Sequence, residues 1–291
     1  MMNFWQEINQ QISEITGRPF AGTPQGSRGG GCSHDNQFVG DGERQFFIKI
    51  NRESELDLFS TEALGLQALS ATNRMKIPQV FGWGVAGEKS YLILEYLALT
   101  NRGNWLFMGQ NLAQLHRESR GKQFGWERDN YIGTTPQKND WYSDWADFFC
   151  TCRLGYQLHL AQRRGGRFSE AKKLLIQVHK ILSLMPVEPV LVHGDLWSGN
   201  AAFTQVGDPV IFDPAVYYGH REVDVAMSEL FGGFPPEFYQ GYQSEWPLES
   251  GYTQRKIIYN LYHVLNHFNL FGGAYWPQAE RMMMQIIQAG D

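Results

Sequence analysis

The sequence predicts an α+β, bilobal fold, with a small β-rich N-terminal lobe over residues 1–97 and a larger, mainly helical lobe over residues 98–291. Segments rich in β-branched and aromatic residues concentrate in the first part of the chain, whereas apolar residues at helical spacing dominate the second part. A chain of 291 residues is long enough for two lobes that each bury a hydrophobic core.

The first lobe is predicted to consist of an opening helix followed by strands with one intervening helix. Apolar residues near helical spacing predict an opening helix over residues 3–16, and an apolar run predicts a strand over residues 45–50. A second helix is predicted over residues 56–69, because its apolar residues share one face. Two further strands are predicted over residues 78–83 and 90–96.

The second lobe is predicted to be mostly helical. Helical spacing indicates helices over residues 109–117, 141–163, 170–185, 222–230, 235–242 and 252 to the end. Two short strands are predicted over residues 189–193 and 210–212. The segment between these two strands carries the most informative motif of the chain.

Composition and charge exclude several classes of function. Hydrophobic residues make up 43% of the chain and charged residues 19%, as in ordinary globular proteins. The net charge of −5 argues against nucleic-acid binding, which needs a basic face. No apolar run approaches the roughly 20 residues of a membrane helix, and no signal peptide is evident. The three cysteines suit a reducing compartment, so we expect a cytoplasmic protein that does not bind membranes.

The loop between the two short strands contains polar residues at a spacing typical of phosphoryl transfer. Asp195 follows His193-Gly194, Asn200 comes five residues later, and Asp213 follows the next strand. A carboxylate beside an alcohol can accept its proton during attack on the γ-phosphorus of ATP, and this role is predicted for Asp195. Asn200 and Asp213 offer the oxygen ligands that Mg²⁺ prefers. A single Asp is more often a turn or capping residue, whereas the combination favours catalysis. We expect His193 to be structural.

The first lobe offers a lysine for the phosphates of ATP. Lys49 lies in an apolar strand, where it is either a solvated edge residue or an inward residue that needs a partner. Glu62, in the following helix, is the predicted partner, as in the lysine–glutamate pair of kinases. Glu53 and Glu55 are competitors, but they come so early that we expect them in the connection between strand and helix.

A glycine-rich segment, residues 29–34, comes before the lysine strand. The backbone N–H groups of Gly30 and Gly31 are predicted to cover the phosphates, although the segment lacks the GxGxxG spacing. Cys32 lies in the same segment, and its thiol is a candidate for a redox-regulated disulfide that links two subunits. An inert Cys32 and a monomer are the alternative.

The end of the last strand of the first lobe is the predicted hinge between the lobes. Glu95, Tyr96 and Leu97 lie there, and the backbone groups of Glu95 and Leu97 are predicted to hydrogen-bond adenine. An ordinary strand end is the competing interpretation.

Longer segments extend the motif to a family resemblance. The segment 193–200, followed by Phe212-Asp213-Pro214-Ala215, resembles the signature of the fructosamine/ketosamine-3-kinase family. Further segments that agree are 124–126, 129–133, 218–224 and 230–235. The family is related to aminoglycoside and choline kinases and shares their protein-kinase-like fold.

The resemblance implies ATP- and Mg²⁺-dependent phosphorylation of the 3-hydroxyl of ketosamines, either small molecules or adducts of protein lysines. The 3-phosphates decompose and release the amine, so the family is associated with deglycation. By the same resemblance, Asp195 accepts the proton, Asn200 and Asp213 bind the metal, and Lys49 contacts a phosphate. Trp197 is implied in the sugar site, where an indole can stack on the C–H face of a polyol. A core tryptophan is the alternative.

Other kinases of small alcohols remain alternatives. Asp213-Pro214-Ala215 replaces the Asp-Phe-Gly of protein kinases and argues against a switching activation loop. An acidic cluster, formed by Asp140, Asp144 and Asp147, keeps an aminoglycoside kinase open, and choline is a further candidate acceptor. A non-catalytic scaffold is disfavoured, since the predicted catalytic residues are all present. Asp224 is predicted to brace the catalytic loop.

Overall fold

The computed structural model describes residues 3–27, 35–166 and 168–289. Contacts divide the chain into two compact units, of which unit 1 comprises Met1–Gly103 and Ala201–Asp213, and unit 2 comprises Asn104–Asn200 and Pro214–Asp291.

The described residues form helices and short strands in the following order along the chain. The strands are β1 (Thr23–Ser27), β2 (Asp35–Gly40), β3 (Gln45–Arg52), β4 (Val80–Ala86), β5 (Lys89–Glu95), β6 (Leu99–Thr100), β7 (Asn130–Ile132), β8 (Thr135–Gln137), β9 (Val190–Val192), β10 (Ala201–Thr204), β11 (Pro209–Ile211) and β12 (Tyr217–Gly219). The α-helices are α1 (Phe4–Thr16), α2 (Leu56–Ser70), α3 (Trp105–Glu118), α4 (Trp145–Phe148), α5 (Tyr156–Arg163), α6 (Ala171–Leu182), α7 (Glu222–Glu229), α8 (Pro236–Glu245), α9 (Tyr252–Phe271) and α10 (Tyr275–Gln288).

The main sheet of unit 1 is antiparallel, and its described strands follow the order β1-β2-β3-β5-β4. Helix α1 begins at a capping box, in which the side chains of Asn3 and Gln6 each bond the other's backbone N–H. Its buried residues Ile8 and Ile12 belong to the same apolar cluster as Ile48 in the middle of β3. The strand that carries Lys49 is therefore fixed by neighbours on both edges and by a packed face.

A hairpin from late in the sequence completes unit 1. Strand β10 pairs with both β11 and β6, and an isolated bridge joins Lys76 to Val210. Unit 1 is therefore made of two separate stretches of chain, whereas the sequence predicts two continuous lobes that meet between residues 97 and 98. The reason is that β6 hydrogen-bonds to β10, which lies about a hundred residues further along the chain, so local patterning does not reveal the pairing.

Helix α9 lies at the centre of unit 2, and most of its residues between Ile258 and Phe268 are buried. The single helix predicted from residue 252 to the end is two helices, because Gly272, at a φ of 68°, ends α9. The helix predicted over residues 141–163 begins at Trp145, after the capping residue Asp144, and passes through a π-helical turn at Phe149–Gly155. None of the described helices is long and apolar enough to cross a membrane.

The π-helical turn places a cation inside the core of unit 2. Arg153 is fully buried, and its guanidinium stacks over the ring of Tyr217 at 3.9 Å and the ring of Phe148 at 4.6 Å. It donates to the carbonyl oxygen of Lys138 at 2.5 Å and to Oδ1 of Asn139 at 2.8 Å. Aromatic faces and neutral oxygens thus compensate much of the cost of burying this charge.

Candidate active site

The loop after β9 turns sharply at a glycine that no other residue can replace without strain. Gly194 has a φ of 81°, and a Cβ atom there would lie 2.1 Å from the carbonyl oxygen of Ala215. The backbone N–H of Ala215 also donates to the carbonyl oxygen of His193 at 2.8 Å. The segments before Asp195 and after Pro214 are therefore held side by side within unit 2.

Asp224 braces this loop from α7, as the sequence predicts. Its carboxylate is fully buried and accepts hydrogen bonds from the backbone N–H of His193 at 2.7 Å and of Gly194 at 2.8 Å. His116 Nε2 lies 3.1 Å from the same carboxylate, and its Nδ1 lies 2.9 Å from the hydroxyl of Tyr242. Burial opposes ionisation, but His116 and the backbone donors outweigh it and lower the pKa of Asp224.

Asp195 lies at the turn of the loop with its side chain 22% exposed. Asn200 reaches back with its Nδ2 to the carbonyl oxygen of Asp195 at 2.9 Å and to Oδ2 at 3.3 Å. His193 is fully buried, and its Nδ1 accepts from the backbone N–H of Asp195 at 3.3 Å, which is the structural role predicted for it. The loop thus holds a partly exposed carboxylate on a backbone that is fixed at several points.

Trp197 lies on the exposed side of the same loop. Its side chain is 37% exposed, so the alternative of a core tryptophan is wrong. The indole lies against Gly199, where a Cβ atom would come within 2.4 Å of the ring. The adjacent Leu196 is buried and anchors the loop in the core. The indole therefore rests on glycine backbone beside Asp195.

His263 is a polar residue near Asp195 that sequence reasoning missed. It lies on α9, is 3% exposed, and its Nδ1 lies 4.0 Å from Oδ1 of Asp195. Burial, reinforced by the nearby ring of His267, lowers the pKa of His263 to about 3. A lone histidine on an apolar helix face is ordinarily a core residue, so periodicity alone could not single it out.

The predicted lysine–glutamate pair is present in unit 1. Lys49 Nζ lies 2.7 Å from Oε1 of Glu62 and 2.6 Å from Oδ1 of Asp213, and Lys49 is only 3% exposed. Burial favours the neutral amine, but the two carboxylates outweigh it and raise the pKa of Lys49. The competing residues Glu53 and Glu55 lie in a 3₁₀ turn between β3 and α2, as expected.

Asp213 has an unusual backbone conformation. Its φ is 56°, a left-handed value that is uncommon for a residue other than glycine. Such strain is stored mainly where a side chain must be aimed, and here it accompanies the ion pair with Lys49.

Comparison with known proteins places the chain in a family. The model of the fructosamine kinase family matches residues 4–289. The chain belongs to the fructosamine kinase family. It is 52% identical over 287 residues to a probable ketoamine kinase of Synechocystis, a match that covers 98% of this chain and 97% of that one. It is 41% identical over 260 residues to the chloroplastic protein-ribulosamine 3-kinase of Arabidopsis thaliana, covering 87% and 79% of the two chains.

Solved structures agree with this fructosamine kinase assignment. A candidate fructosamine-3-kinase from Haemophilus somnus superposes with a TM-score of 0.92 at 32% identity, over 97% of each chain. The choline kinase LicA of Streptococcus pneumoniae superposes with a TM-score of 0.64 at 12% identity, over 98% of each chain, and shows a shared fold. The predicted α+β, protein-kinase-like fold is therefore confirmed.

The remaining predicted nucleotide contacts of this fructosamine kinase family member fall into two groups. Gly30 and Gly31 lie outside the described residues, as does the candidate redox residue Cys32. Glu95, at the end of β5, pairs with Lys76 Nζ at 2.7 Å and accepts from the backbone N–H of Gln79 at 3.1 Å. The rings of Tyr96 and Phe38 pack with centroids 5.5 Å apart, and Leu97 follows directly. The roles of Glu95, Tyr96 and Leu97 at adenine stay predictions.

Proposed function

We propose that the protein is an ATP-dependent ketosamine 3-kinase, which phosphorylates the 3-hydroxyl of ribulosamine or fructosamine adducts. The observation that carries this proposal is the braced loop at Asp195, found in a chain that belongs to the fructosamine kinase family. A rigid loop with one carboxylate directed at solvent suits a general base that must meet an incoming alcohol.

In the proposed reaction, the 3-hydroxyl of the ketosamine donates its proton to Asp195 while its oxygen attacks the γ-phosphorus of ATP. The bond from that phosphorus to the bridging oxygen breaks, and ADP leaves. Asn200 and Asp224 hold the loop in place during the transfer, so positioning supplies much of the catalysis. The exposed indole of Trp197 offers the C–H face of the sugar an apolar surface to stack on.

The residues present suit ATP and a divalent cation. Lys49 keeps its charge and is proposed to contact a phosphate, with Glu62 holding it in place. Asn200 and Asp213 are the proposed Mg²⁺ ligands, since amide and carboxylate oxygens are the donors that this hard ion prefers. When bound, Mg²⁺ would neutralise charge on the β- and γ-phosphates. Further ATP contacts are proposed for Gly30, Gly31, Glu95, Tyr96 and Leu97.

The acidic cluster that kept an aminoglycoside kinase open has local roles. Asp144 caps α4 by accepting from the backbone N–H of Asp147 at 2.9 Å. Asp147 in turn pairs with Nε2 of His179 at 3.0 Å. These two carboxylates already have partners within the chain, and the relatives are named ketoamine and ribulosamine kinases, so the aminoglycoside alternative is not favoured.

The product implies the biological role that we propose. In a ketosamine 3-phosphate, the C1–H next to the C2 carbonyl is acidic, so enolisation towards C1 allows the phosphate on C3 to leave as inorganic phosphate. The resulting imine is hydrolysed by water, which frees the amine and completes deglycation. The acceptor is a small ketosamine or a ketosamine on a protein lysine. A reducing, cytoplasmic setting fits the small number of cysteines. A disulfide-linked homodimer through Cys32 is proposed as an oxidised form.

The test is phosphorylation of lysine-derived ribulosamine and fructosamine with ATP and Mg²⁺, monitored by ADP release and by the mass of the product. Kanamycin and choline serve as control acceptors. We expect turnover of at least one ketosamine and none of the controls. Turnover restricted to a control acceptor would overturn the substrate assignment, and a lack of turnover on every acceptor would overturn the kinase assignment.

A further inference from the structure

His263 carries a buried polar atom that the fold itself leaves unused. The side chain is only 4% exposed, so water reaches it poorly. Even so, its Nδ1 has no hydrogen-bond partner among the described residues. Buried polar atoms in folded proteins are nearly always paired, and an exception beside a functional carboxylate suggests a role in binding or catalysis. Oδ1 of Asp195 lies 4.0 Å from this atom.

The charge state of His263 determines whether its Nδ1 can donate or accept a hydrogen bond. The low pKa of the buried ring makes it neutral at physiological pH, and a neutral imidazole has one donor and one acceptor nitrogen. A lone pair on Nδ1 would face the negative oxygen of Asp195 and be repelled by it. The tautomer with hydrogen on Nδ1 is therefore favoured, and it offers an N–H donor beside the base.

The distance between the two groups fits a pair of adjacent substrate oxygens. A gap of 4.0 Å between Nδ1 and Oδ1 is too long for a direct hydrogen bond. It is spanned by a chain of three contacts, from Oδ1 to a hydroxyl, to the oxygen on the next carbon, and to Nδ1, each about 2.7–3.0 Å long. In a ketosamine the carbon next to C3 is C2, which bears a carbonyl oxygen that can only accept.

We propose that His263 donates its Nδ1–H to the C2 carbonyl oxygen of the ketosamine while Asp195 accepts the proton of the 3-hydroxyl. His263 is then a specificity-determining residue, because the C2 carbonyl distinguishes a ketosamine from a polyol, an aminoglycoside or choline. The same hydrogen bond draws electron density from C2 and makes the neighbouring 3-hydroxyl more acidic. This proposal rests on the proposed function, since it assumes a ketosamine at Asp195.

The experiment compares a ketosamine with its borohydride-reduced form, in which the C2 carbonyl is an alcohol and the 3-hydroxyl is unchanged. The measured quantity is the ratio of kcat/KM for the two acceptors. His263→Asn places an amide N–H near the position of Nδ1, whereas His263→Gln places it near Nε2. His220→Asn is the matched control, because His220 is equally buried and its Nδ1 bonds the hydroxyl of Tyr259 at 2.7 Å.

We expect the wild type and His220→Asn to prefer the ketosamine by about tenfold or more, the size of one lost substrate hydrogen bond. His263→Asn should keep most of this preference, and His263→Gln should lose it. An equal preference in His263→Gln and the wild type would overturn the role of His263. If the wild type turned over no ketosamine at all, the proposed function would fail first, so the two failures are distinguishable.

Discussion

Asp195 is directed at solvent by residues that are themselves buried and hydrogen-bonded. Asn200 holds the carbonyl oxygen of Asp195, and Asp224 holds the two backbone N–H groups just before it. Each of these contacts lies within unit 2. A change at Asp195 should therefore alter the proposed chemistry alone, whereas a change at Asp224 should alter both the stability of the fold and the orientation of Asp195.

Replacement of Asp195 by Asn should lower kcat by about 10²–10⁴-fold, because the amide cannot accept the proton of the alcohol. The affinity for ATP, measured by calorimetry, should stay close to that of the wild type. Asp140→Asn, at an exposed position, is the control and should keep full activity. Retention of wild-type kcat in Asp195→Asn would remove Asp195 from the mechanism.

Replacement of Asp224 by Asn should lower the free energy of unfolding by about 3 kcal/mol at neutral pH, since it removes one partner of a buried charged network. The folded-state pKa of Asp224 is lowered. Its stabilisation is therefore complete above the ordinary Asp value of about 3.9 and is lost as the pH falls through the folded value. Urea titrations should show the gap between wild type and variant narrowing below about pH 4. A constant gap down to pH 2 would argue against the charged network.

At the scale of elements, two glycines of the loop that carries Asp195 have different structural roles. Gly194 approaches the backbone of Ala215, which cannot move aside, and it has a left-handed φ. At Gly199 the three atoms nearest to an added Cβ all belong to the indole of Trp197, which can rotate. Glycine is therefore required at residue 194 by the backbone geometry, whereas at residue 199 it is required only by the present position of the Trp197 side chain.

Gly194→Ala should destabilise the protein strongly, and Gly199→Ala should leave its thermal midpoint within a few degrees of the wild type. Gly199→Ala should instead raise the KM for the ketosamine severalfold and leave the KM for ATP unchanged, because it displaces Trp197 from its resting place. Thermal unfolding and steady-state kinetics on the matched pair provide the measurement. A rise of the KM for ATP in Gly199→Ala would contradict the proposed sugar-site role of Trp197.

The elements that the sequence predicted correctly are those with local signals. The apolar run of β3 and the spacing of α2 were sufficient to pair Lys49 with Glu62, because strand and helix are neighbours along the chain. The spacing of Asp195, Asn200 and Asp213 could be recognised for a similar reason, because the three residues lie within one short stretch of sequence. Strand β10 was not predicted, because it is short and its partner β6 lies far away in the sequence.

In the candidate site, too, residues within the motif could be predicted from the sequence, whereas a residue brought close by the packing of a distant helix could not. The bracing role of Asp224 was predicted from the motif that contains it. His263 was not predicted, because nothing in its own segment distinguishes it from a core histidine. Its significance comes from the 4.0 Å distance to Asp195, which depends on how α9 packs in unit 2.

At the scale of the whole molecule, buried neutral histidines couple stability to pH. Burial, followed by the charges of Arg221 and Arg255, lowers the pKa of His220 well below its usual range. Burial has the same effect on His263. Both residues bind a proton on unfolding near pH 6, whereas the folded protein does not take it up. Their contribution to stability is therefore present above the unfolded value of about 6.5 and declines as the pH falls below it.

The free energy of unfolding should fall by about 1.4 kcal/mol per pH unit for each of these two histidines between about pH 6 and pH 4.5. His220→Asn and His263→Asn should each flatten this dependence by the share of one histidine. Denaturant titrations across this pH range provide the measurement, and an unchanged slope in both buried variants would contradict the assignment.

The hairpin formed by β10 and β11 belongs to unit 1, although the chain reaches it only after residues 104–200 of unit 2. A ribosome therefore releases the first strands of unit 1 long before it makes the hairpin that completes their unit. Until then β6 lacks its partner strand, and the pairing of Leu99 with Thr204 must wait. Neither unit is a contiguous stretch of chain, so the nascent protein cannot finish one unit before it begins the other. A gene truncated after residue 103 should yield an incomplete unit 1 with an unpaired β6 edge, prone to association with other chains.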